Sequence, residues 1–315
     1  MEFMKVTLIT TVLNEEKTIA SFLTSIKNQN QKPDEVVIVD GGSSDNTLSI
    51  ISNFKLPFKI KILEKKGNRS VGRNFAIKNS THEIIAVTDA GCILDKNWLK
   101  EIVKPFKESR SIDVVSGFYN PVFKNIFEKG LSTYTCVMED KIDKNNFLPS
   151  SRSVALKKSV FLKVGGYPEY LNTCEDLLFD QKLKKIGAKF EFNKNALVYW
   201  PQRKNILQAA KQFFSYAYGD GRALYFRKTA SLLLVRYLIG LIVLFSAIYF
   251  KSNVLWILLL FALFFYLLWS IWKNYKYVRS WKAFFFSPLL QLISDVAVIS
   301  GVICGLISRI NLLRM

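Results

Sequence analysis

Apolar residues follow two rhythms along this chain, and the change between them falls near residue 228. Before it, short apolar runs of strand length alternate with stretches of helical spacing. Lys5–Leu13 and Glu35–Val39 read as strands. Between them Ile19, Phe22, Leu23 and Ile26 fall at i, i+3, i+4 and i+7, one face of a helix. Lys59–Leu63 and Ile84–Thr88 are two further strands, and helices are expected at Asp45–Asn53 and Ser70–Asn79. Such alternation implies an α/β fold, with a largely parallel sheet covered by helices on both faces. Ser43-Ser44-Asp45, after Gly41-Gly42, supply an N-cap for the helix that follows the second strand.

After residue 228 the apolar runs lengthen. Residues 231–250 are apolar but for Arg236, which lies near one end and can snorkel. Residues 253–272 carry no charge, and 284–308 are apolar except for Gln291 and Asp295. Each run is long enough to cross ~30 Å of hydrocarbon as a helix. Pro288 and Asp295 leave a re-entrant or interfacial third segment open. Gly301 and Gly305 form a GxxxG pair of the kind that packs helices closely. The loop after the second run holds Lys273, Lys276, Arg279 and Lys282, which the positive-inside rule places in the cytoplasm. The large first part is then cytoplasmic as well, and the C-terminus lies outside. Residues 204–230 interleave aromatics with Lys and Arg, as in an amphipathic helix at the headgroup level, although a packing helix would look similar. The expected organisation is therefore a domain over 1–203, an interfacial segment over 204–230, and a membrane domain of about three helices over 231–315.

Charge sharpens this division. The 315 residues include 44 Lys+Arg and 25 Asp+Glu, a net charge of +19. Beyond Lys228 there are eight basic residues and one acid, Asp295, all interleaved with apolar runs, which suits a membrane surface. The remaining excess is spread over helices and loops without the aromatic signature of RNA binding, so no nucleic-acid partner is expected. Four scattered cysteines without a CxxC pair read as reduced thiols. The one histidine, His82, reads as a solvated loop residue and builds neither a histidine-rich metal site nor a Ser-His-Asp triad. The apolar run at the N-terminus is broken by threonines and ends in Asn14-Glu15-Glu16, unlike a signal peptide.

The chemistry gathers at strand ends, where ligands bind in open parallel sheets. The first strand runs into Asn14-Glu15 and the second into Asp40-Gly41-Gly42. The third leads to Gly67-Asn68-Arg69 with Gly72-Arg73-Asn74 behind it, and the fourth to Asp89-Ala90-Gly91. One such end is often only a helix cap, but four describe a lined crevice. The G-x-G-x-x-G fingerprint is missing after the first strand and no Walker motif is present, which argues against a dehydrogenase or an ATPase. The crevice offers carboxylates instead. These can accept from ribose hydroxyls and base N–H groups, or hold a divalent cation against a diphosphate.

The segments TTVLNEEKTI, PDEVVIVDGGSSDNT, GRNFAI and VTDAGCILDKNWL resemble the nucleotide-sugar half of the family 2 glycosyltransferases, which have the GT-A fold. SVALKKSVFLKVGGYPEYLNTCEDLLFDQKLKKIGAKF is similar to their acceptor half, and the resemblance covers about residues 5–200. It implies that Asp40 accepts from the nucleotide base, Glu15 holds the ribose and Thr11 lines the base pocket. Arg73 would lie near the nucleotide or diphosphate. Asp89 would face the donor and bind a divalent cation, Mg²⁺ or Mn²⁺. Asp176 would be the general base on the acceptor side, with Glu175 beside it at the acceptor. Two positions depart from the family pattern. Thr11 and Leu13 stand where many relatives have proline and an aromatic, and Gly91 stands where the DxD metal motif has its second carboxylate.

The resemblance thus implies a membrane-anchored inverting glycosyltransferase. It would carry a sugar from a nucleotide donor to a hydroxyl of a lipid-linked glycan or cell-surface polysaccharide precursor. Absence of the Q-x-x-R-W motif disfavours a processive polymerase. Two alternatives stay open at this point, a polyprenyl-phosphate sugar synthase and a non-catalytic membrane scaffold that binds sugar nucleotides.

Overall fold

The computed structural model describes residues 4–144 and 146–313. These described residues divide into two compact units, one of those up to 122 with those of 137–201, the other of 123–136 with those from 202 on. Residues 123–136, which lie inside the span 1–203 expected as one domain, group with the second unit.

The first unit opens with β1 (Val6–Val12), α1 (Ile19–Lys27), β2 (Glu35–Asp40), α2 (Thr47–Asn53), β3 (Lys59–Glu64), α3 (Arg69–Lys78) and β4 (Ile84–Val87). These elements match the strand–helix rhythm of the sequence to within two residues at their ends. Every residue of β2 is buried, as its β-branched run requires, while Lys-rich β3 is partly exposed at the sheet edge. The start of α2 differs from expectation. Ser43 turns back onto Asp40, and Asp45 Oδ1 instead accepts from Thr47 N (3.0 Å) and Thr47 Oγ1 (2.5 Å), so the helix begins two residues late.

The chain continues through β5 (Ile93–Leu94), α4 (Trp98–Glu108) and β6 (Val114–Val122), then α5 (Ile126–Thr135) of the second unit. It returns with β7 (Val154–Lys157), α6 (Lys158–Val164), α7 (Glu175–Lys185) and β8 (Phe190–Pro201). All eight strands join one sheet in the order β3-β2-β1-β4-β7-β6-β8-β5. Its first four strands run parallel, and β7 is antiparallel to β4 and β6. The sheet is therefore mixed. Because β7 runs against β4, Val154 lies opposite Val87, and the loop that enters β7 arrives at the carboxyl end of β4. Trp98 fixes this junction, since its indole N–H donates to Ser153 Oγ (2.8 Å), which itself donates to the Ala196 carbonyl (2.9 Å).

The second unit adds α8 (Ile206–Arg222), α9 (Lys228–Tyr249), α10 (Asn253–Val278) and α11 (Ala283–Leu313). The last three include segments of 22, 26 and 29 residues that are long and apolar enough to cross a membrane. Helix α11 runs without a break through Pro288 and Asp295. Arg236 does not extend toward the end of α9. It reaches across to Tyr266 on α10 and Asp295 on α11.

Small residues bring α8 and α11 together. A Cβ on Gly301 would lie 2.6 Å from the Phe214 carbonyl oxygen, one on Gly305 2.2 Å from that of Tyr218, and one on Gly221 2.4 Å from that of Val302. The glycine pair seen in the sequence thus packs α11 on α8 at backbone distance, and Phe213, Leu290 and Ala297 lie in the adjoining core. Gly305→Ala is expected to destabilise the protein by about 1–3 kcal/mol, because the obstructing atom is backbone. Gly240→Ala on α9, where an added methyl meets nothing, should be neutral or mildly stabilising. Unfolding of both variants in detergent checks the contrast, and equal stability would mean that the two helices separate freely.

Candidate active site

The carboxyl ends of β2, β1 and β4 are neighbours, so the sheet brings the residues after them to one edge. Val12 pairs in register with Asp40, and the two following loops are laced together. The Asn14 amide donates to Ser43 Oγ (2.9 Å), and Asn14 Oδ1 accepts from the Ser44 amide (2.9 Å). The Glu15 amide donates to Thr47 Oγ1 (2.8 Å), while its carboxylate accepts from Thr18 Oγ1. Asp40 is buried. Its Oδ2 accepts from the Gly42 and Ser43 amides (2.9 and 2.8 Å) and its Oδ1 from Ser43 Oγ (2.5 Å). A carboxylate offers about four acceptor directions, so the turn after β2 takes most of them. Gly42 adopts φ +103°, which makes glycine the residue for this turn.

Helix α3 links this corner to the rest of the site. A Cβ on Gly72 would stand 2.6 Å from Thr11 Cγ2, so glycine lets α3 rest on the end of β1. The next residue, Arg73, is the centre of the site. It is 1% exposed and has three carboxylates around it. Nη2 donates to Asp89 Oδ1 (2.7 Å), and Nη1 donates to Glu175 Oε1 (2.9 Å) and Asp176 Oδ1 (3.3 Å). Its plane lies 5.5 Å from the Tyr167 ring centroid. Asn74 holds that ring in place, since its side chain donates to the Tyr167 carbonyl (2.9 Å) and accepts from the Tyr167 amide (2.8 Å). Gly166, at φ +78° with Asn74 Oδ1 2.6 Å from its would-be Cβ, has room for no side chain.

Electrostatics separates the three carboxylates. Burial alone would lower the Arg73 pKa, but Asp89, Asp176 and Glu175 outweigh it and hold the guanidinium well above its ordinary value. For Asp89, desolvation raises the pKa, yet Arg73, Arg69 and Arg152 together bring it down to about 2. Burial, with Asp176 alongside, pushes Glu175 up against the pull of Arg73. Asp180, one turn along α7, is pushed well above its ordinary value by burial and by Asp176, and Lys184 opposes this only in part. The side chains of Asp89 and Asp176 are 26% and 27% exposed, against 5% for Glu175, so the first two face the crevice.

Asp176 is also held from the β7 entry loop. Its Oδ1 accepts from Ser151 Oγ (2.5 Å), and its Oδ2 from the Ser151 amide (3.1 Å) and, at 3.5 Å, from Ser150 Oγ. Ser151 Oγ lies 3.1 Å from the Tyr167 hydroxyl. Arg152 stacks 3.9 Å over Trp200 and donates to Ser150 Oγ (2.9 Å), and its carbonyl accepts from Thr88 Oγ1 beside Asp89.

The structure therefore groups Thr11, Glu15 and Asp40 at one corner, and Arg73, Asp89, Glu175 and Asp176 at another. Arg73 and Glu175, expected to face the diphosphate and the acceptor, are instead turned into the protein against each other. Ser151, Arg152 and Tyr167 were missed by the sequence reading. They come from an antiparallel strand entry and a glycine turn, away from the carboxyl ends of the parallel strands. The polar run Ser150–Ser153 directly before apolar Val154–Leu156 was the available signal.

For a divalent cation, no three His, Cys, Asp or Glu side chains converge as a preformed cage among the described residues. Mg²⁺ at phosphate sites needs only one or two carboxylates beside substrate oxygens and waters. Asp89 fits as that single carboxylate, and a Cβ at Gly91 would meet nothing within 4 Å, so space lies open beside it.

A mixed sheet with carboxylates at the ends of its parallel strands and an Arg-centred cluster behind them is a GT-A-type α/β domain. The chain belongs to Glycosyl transferase family 2, whose model matches residues 7–165. It is 33% identical over 187 residues to the poly(ribitol-phosphate) beta-N-acetylglucosaminyltransferase TarP of Staphylococcus aureus, covering 56% of each chain. It is 25% identical over 212 residues to the O-antigen chain rhamnosyltransferase RfbN of Salmonella typhimurium, covering 62% of this chain and 66% of that one. The chain thus spans between about half and two thirds of the length of these relatives. Among solved structures, the mannosyltransferase PcManGT of Pyrobaculum calidifontis, in complex with GDP-Man and Mn²⁺, shares the fold with TM-score 0.64. That pair is 18% identical, covering 94% of this chain and 87% of the other. The S. aureus TarS fragment 1–349 with UDP-GlcNAc gives TM-score 0.52 at 22% identity, over 68% of this chain and 66% of the other.

The cluster makes a stability test direct. Arg73→Met leaves three carboxylates facing one another and is expected to cost on the order of 3–5 kcal/mol in denaturant unfolding. Adding Glu175→Gln should restore part of that loss, because the most buried of the three charges is then removed. An unchanged midpoint in Arg73→Met would mean that the carboxylates do not depend on the guanidinium.

Proposed function

We propose that this chain is an inverting glycosyltransferase that moves a sugar from a nucleotide-sugar donor to a hydroxyl of a lipid-linked glycan or cell-surface polysaccharide precursor. The observation that carries the reading is Asp176, a partly exposed carboxylate held by Ser151 and by the same Arg73 guanidinium that binds Asp89. The relatives, an O-antigen chain rhamnosyltransferase and a poly(ribitol-phosphate) beta-N-acetylglucosaminyltransferase, support the same class.

In this reading Thr11, Glu15 and Asp40 form the nucleoside corner. Asp40 has an acceptor direction left for a base N–H, and Glu15 offers its partly exposed carboxylate to the ribose. The acceptor hydroxyl displaces the long Ser150 contact on Asp176 Oδ2 and gives that oxygen its proton as it attacks the anomeric carbon. The bond from that carbon to the donor phosphate oxygen breaks, and the nucleoside diphosphate leaves with the electron pair. Mg²⁺ or Mn²⁺ held by Asp89 and the donor phosphates would supply charge neutralisation for that leaving group. Arg73 and Glu175 touch neither substrate and act as positioning residues. The three long apolar helices cross the bilayer with α8 packed along α11, and the crevice faces the cytoplasm, where sugar nucleotides are supplied.

Asp176→Asn tests the assignment. Asparagine keeps the size of the side chain but takes no proton near neutral pH. Turnover is expected to fall by roughly 10²–10⁴-fold with donor affinity almost unchanged. Near-normal turnover would point to an acceptor that arrives already ionised, such as a lipid phosphate, and would remove Asp176 as the base.

A further inference from the structure

The transfer chemistry leaves a buried hydroxyl unused. Tyr167 is 3% exposed, with its ring stacked on Phe179 and lying beneath the Arg73 guanidinium. Among the described residues, Ser151 Oγ at 3.1 Å is the hydrogen-bond partner of its hydroxyl. Ser151 is buried as well, and backbone contacts fix its place. The Ser153 amide donates to the Ser150 carbonyl (2.9 Å), which closes a four-residue turn. Inside that turn the Arg152 carbonyl accepts from Thr88 Oγ1 (2.9 Å). From this turn Ser151 reaches both oxygens of Asp176, with its hydroxyl at 2.5 Å from Oδ1 and its amide at 3.1 Å from Oδ2.

One hydroxyl carries one hydrogen, and this sets the direction of the contacts. An ionised carboxylate only accepts, so the Ser151 hydrogen points to Asp176. The Tyr167 hydroxyl then donates to Ser151 Oγ. Burial raises the pKa of Tyr167, and the Asp176 charge adds to the rise, so that hydrogen stays in place. The order is Tyr167 to Ser151 to Asp176, each donor polarising the next.

The two oxygens of Asp176 are thereby made unequal. A carboxylate has about four acceptor directions, two on each oxygen. Oδ1 accepts from the Ser151 hydroxyl and from Arg73 Nη1 (3.3 Å), which fills it. Oδ2 accepts from the Ser151 amide and has only the 3.5 Å Ser150 contact in its other direction.

We infer that Ser151, held by Tyr167, is a positioning residue that fixes the plane of the Asp176 carboxylate and reserves Oδ2 for the acceptor's proton. The inference rests on Asp176 being the base. The proton passes from the acceptor hydroxyl to Oδ2, while Ser151 and Tyr167 keep their own hydrogens throughout.

The test uses the full chain in neutral detergent, with water as the acceptor hydroxyl. UDP-glucose, UDP-N-acetylglucosamine, GDP-mannose and dTDP-rhamnose are the donors offered, and the one hydrolysed fastest by wild type is carried forward. Ser151→Ala should lower kcat by roughly 10–100-fold while KM and calorimetric donor affinity stay within about twofold. Tyr167→Phe keeps the ring stack and should lower kcat at least about threefold, but add nothing in the Ser151→Ala background. It also serves if Ser151→Ala does not fold. Normal kcat in Ser151→Ala beside a low value in Asp176→Asn would overturn the positioning role and leave the base in place. Normal kcat in Asp176→Asn would overturn the base and the inference with it. A parallel loss of donor affinity in Ser151→Ala would assign Ser151 to donor binding instead. An infrared readout needs no substrate. The carboxylate band that disappears in Asp176→Asn should shift in Ser151→Ala and, less, in Tyr167→Phe, and an unmoved band would overturn the chain of contacts.

Discussion

A guanidinium with 1% exposure governs the first unit. Taking an arginine out of water costs several kcal/mol unless hydrogen bonds and opposite charge replace its hydration. Arg73 obtains them from Asp89 after β4 and from Glu175 and Asp176 at the start of α7. That demand draws a strand end and two helices, far apart in sequence, to one point. The surrounding details follow from it. Gly72 lets α3 approach β1, Asn74 clasps the Tyr167 backbone, and Tyr167 lies beneath the guanidinium while stacking on Phe179 at 4.1 Å.

The same balance sorts the carboxylates chemically. Three acids near one base cannot be equivalent. Glu175 is the most buried and is driven toward its neutral form, whereas Asp89 is held anionic. Asp89 and Asp176 each keep about a quarter of their side-chain surface exposed. In the second unit the cohesive forces are of another kind. Helices α8 and α11 meet at backbone distance at Gly301 and Gly305 beside an apolar core, and hydrogen bonds from α9 and α10 converge on Asp295.

Much of this architecture was legible beforehand, and for identifiable reasons. The first four strands and the membrane helices announce themselves by unbroken apolar runs, and Asp40, Asp89 and Asp176 by the motifs around them. What stayed hidden depends on distant pairing. Nothing in the local sequence states that Arg73 faces inward, because arginine is usually solvated and its three partners lie 16 to 103 positions away. The role of Ser151 needed the antiparallel alignment of β7 with β4. Arg236 read as a snorkelling residue because a single helix shows only its own ends, while its real partners are on α10 and α11.

One carboxylate acting as base while the donor leaves in a single displacement inverts the anomeric centre, and the stereochemistry of the product reports on that directly. Proton NMR of the glycoside formed from an anomerically pure nucleotide sugar should show the opposite anomeric configuration to the donor. Retention of configuration would require a second displacement, and with it a nucleophile that the Arg73 cluster does not assign, which would contradict the mechanism.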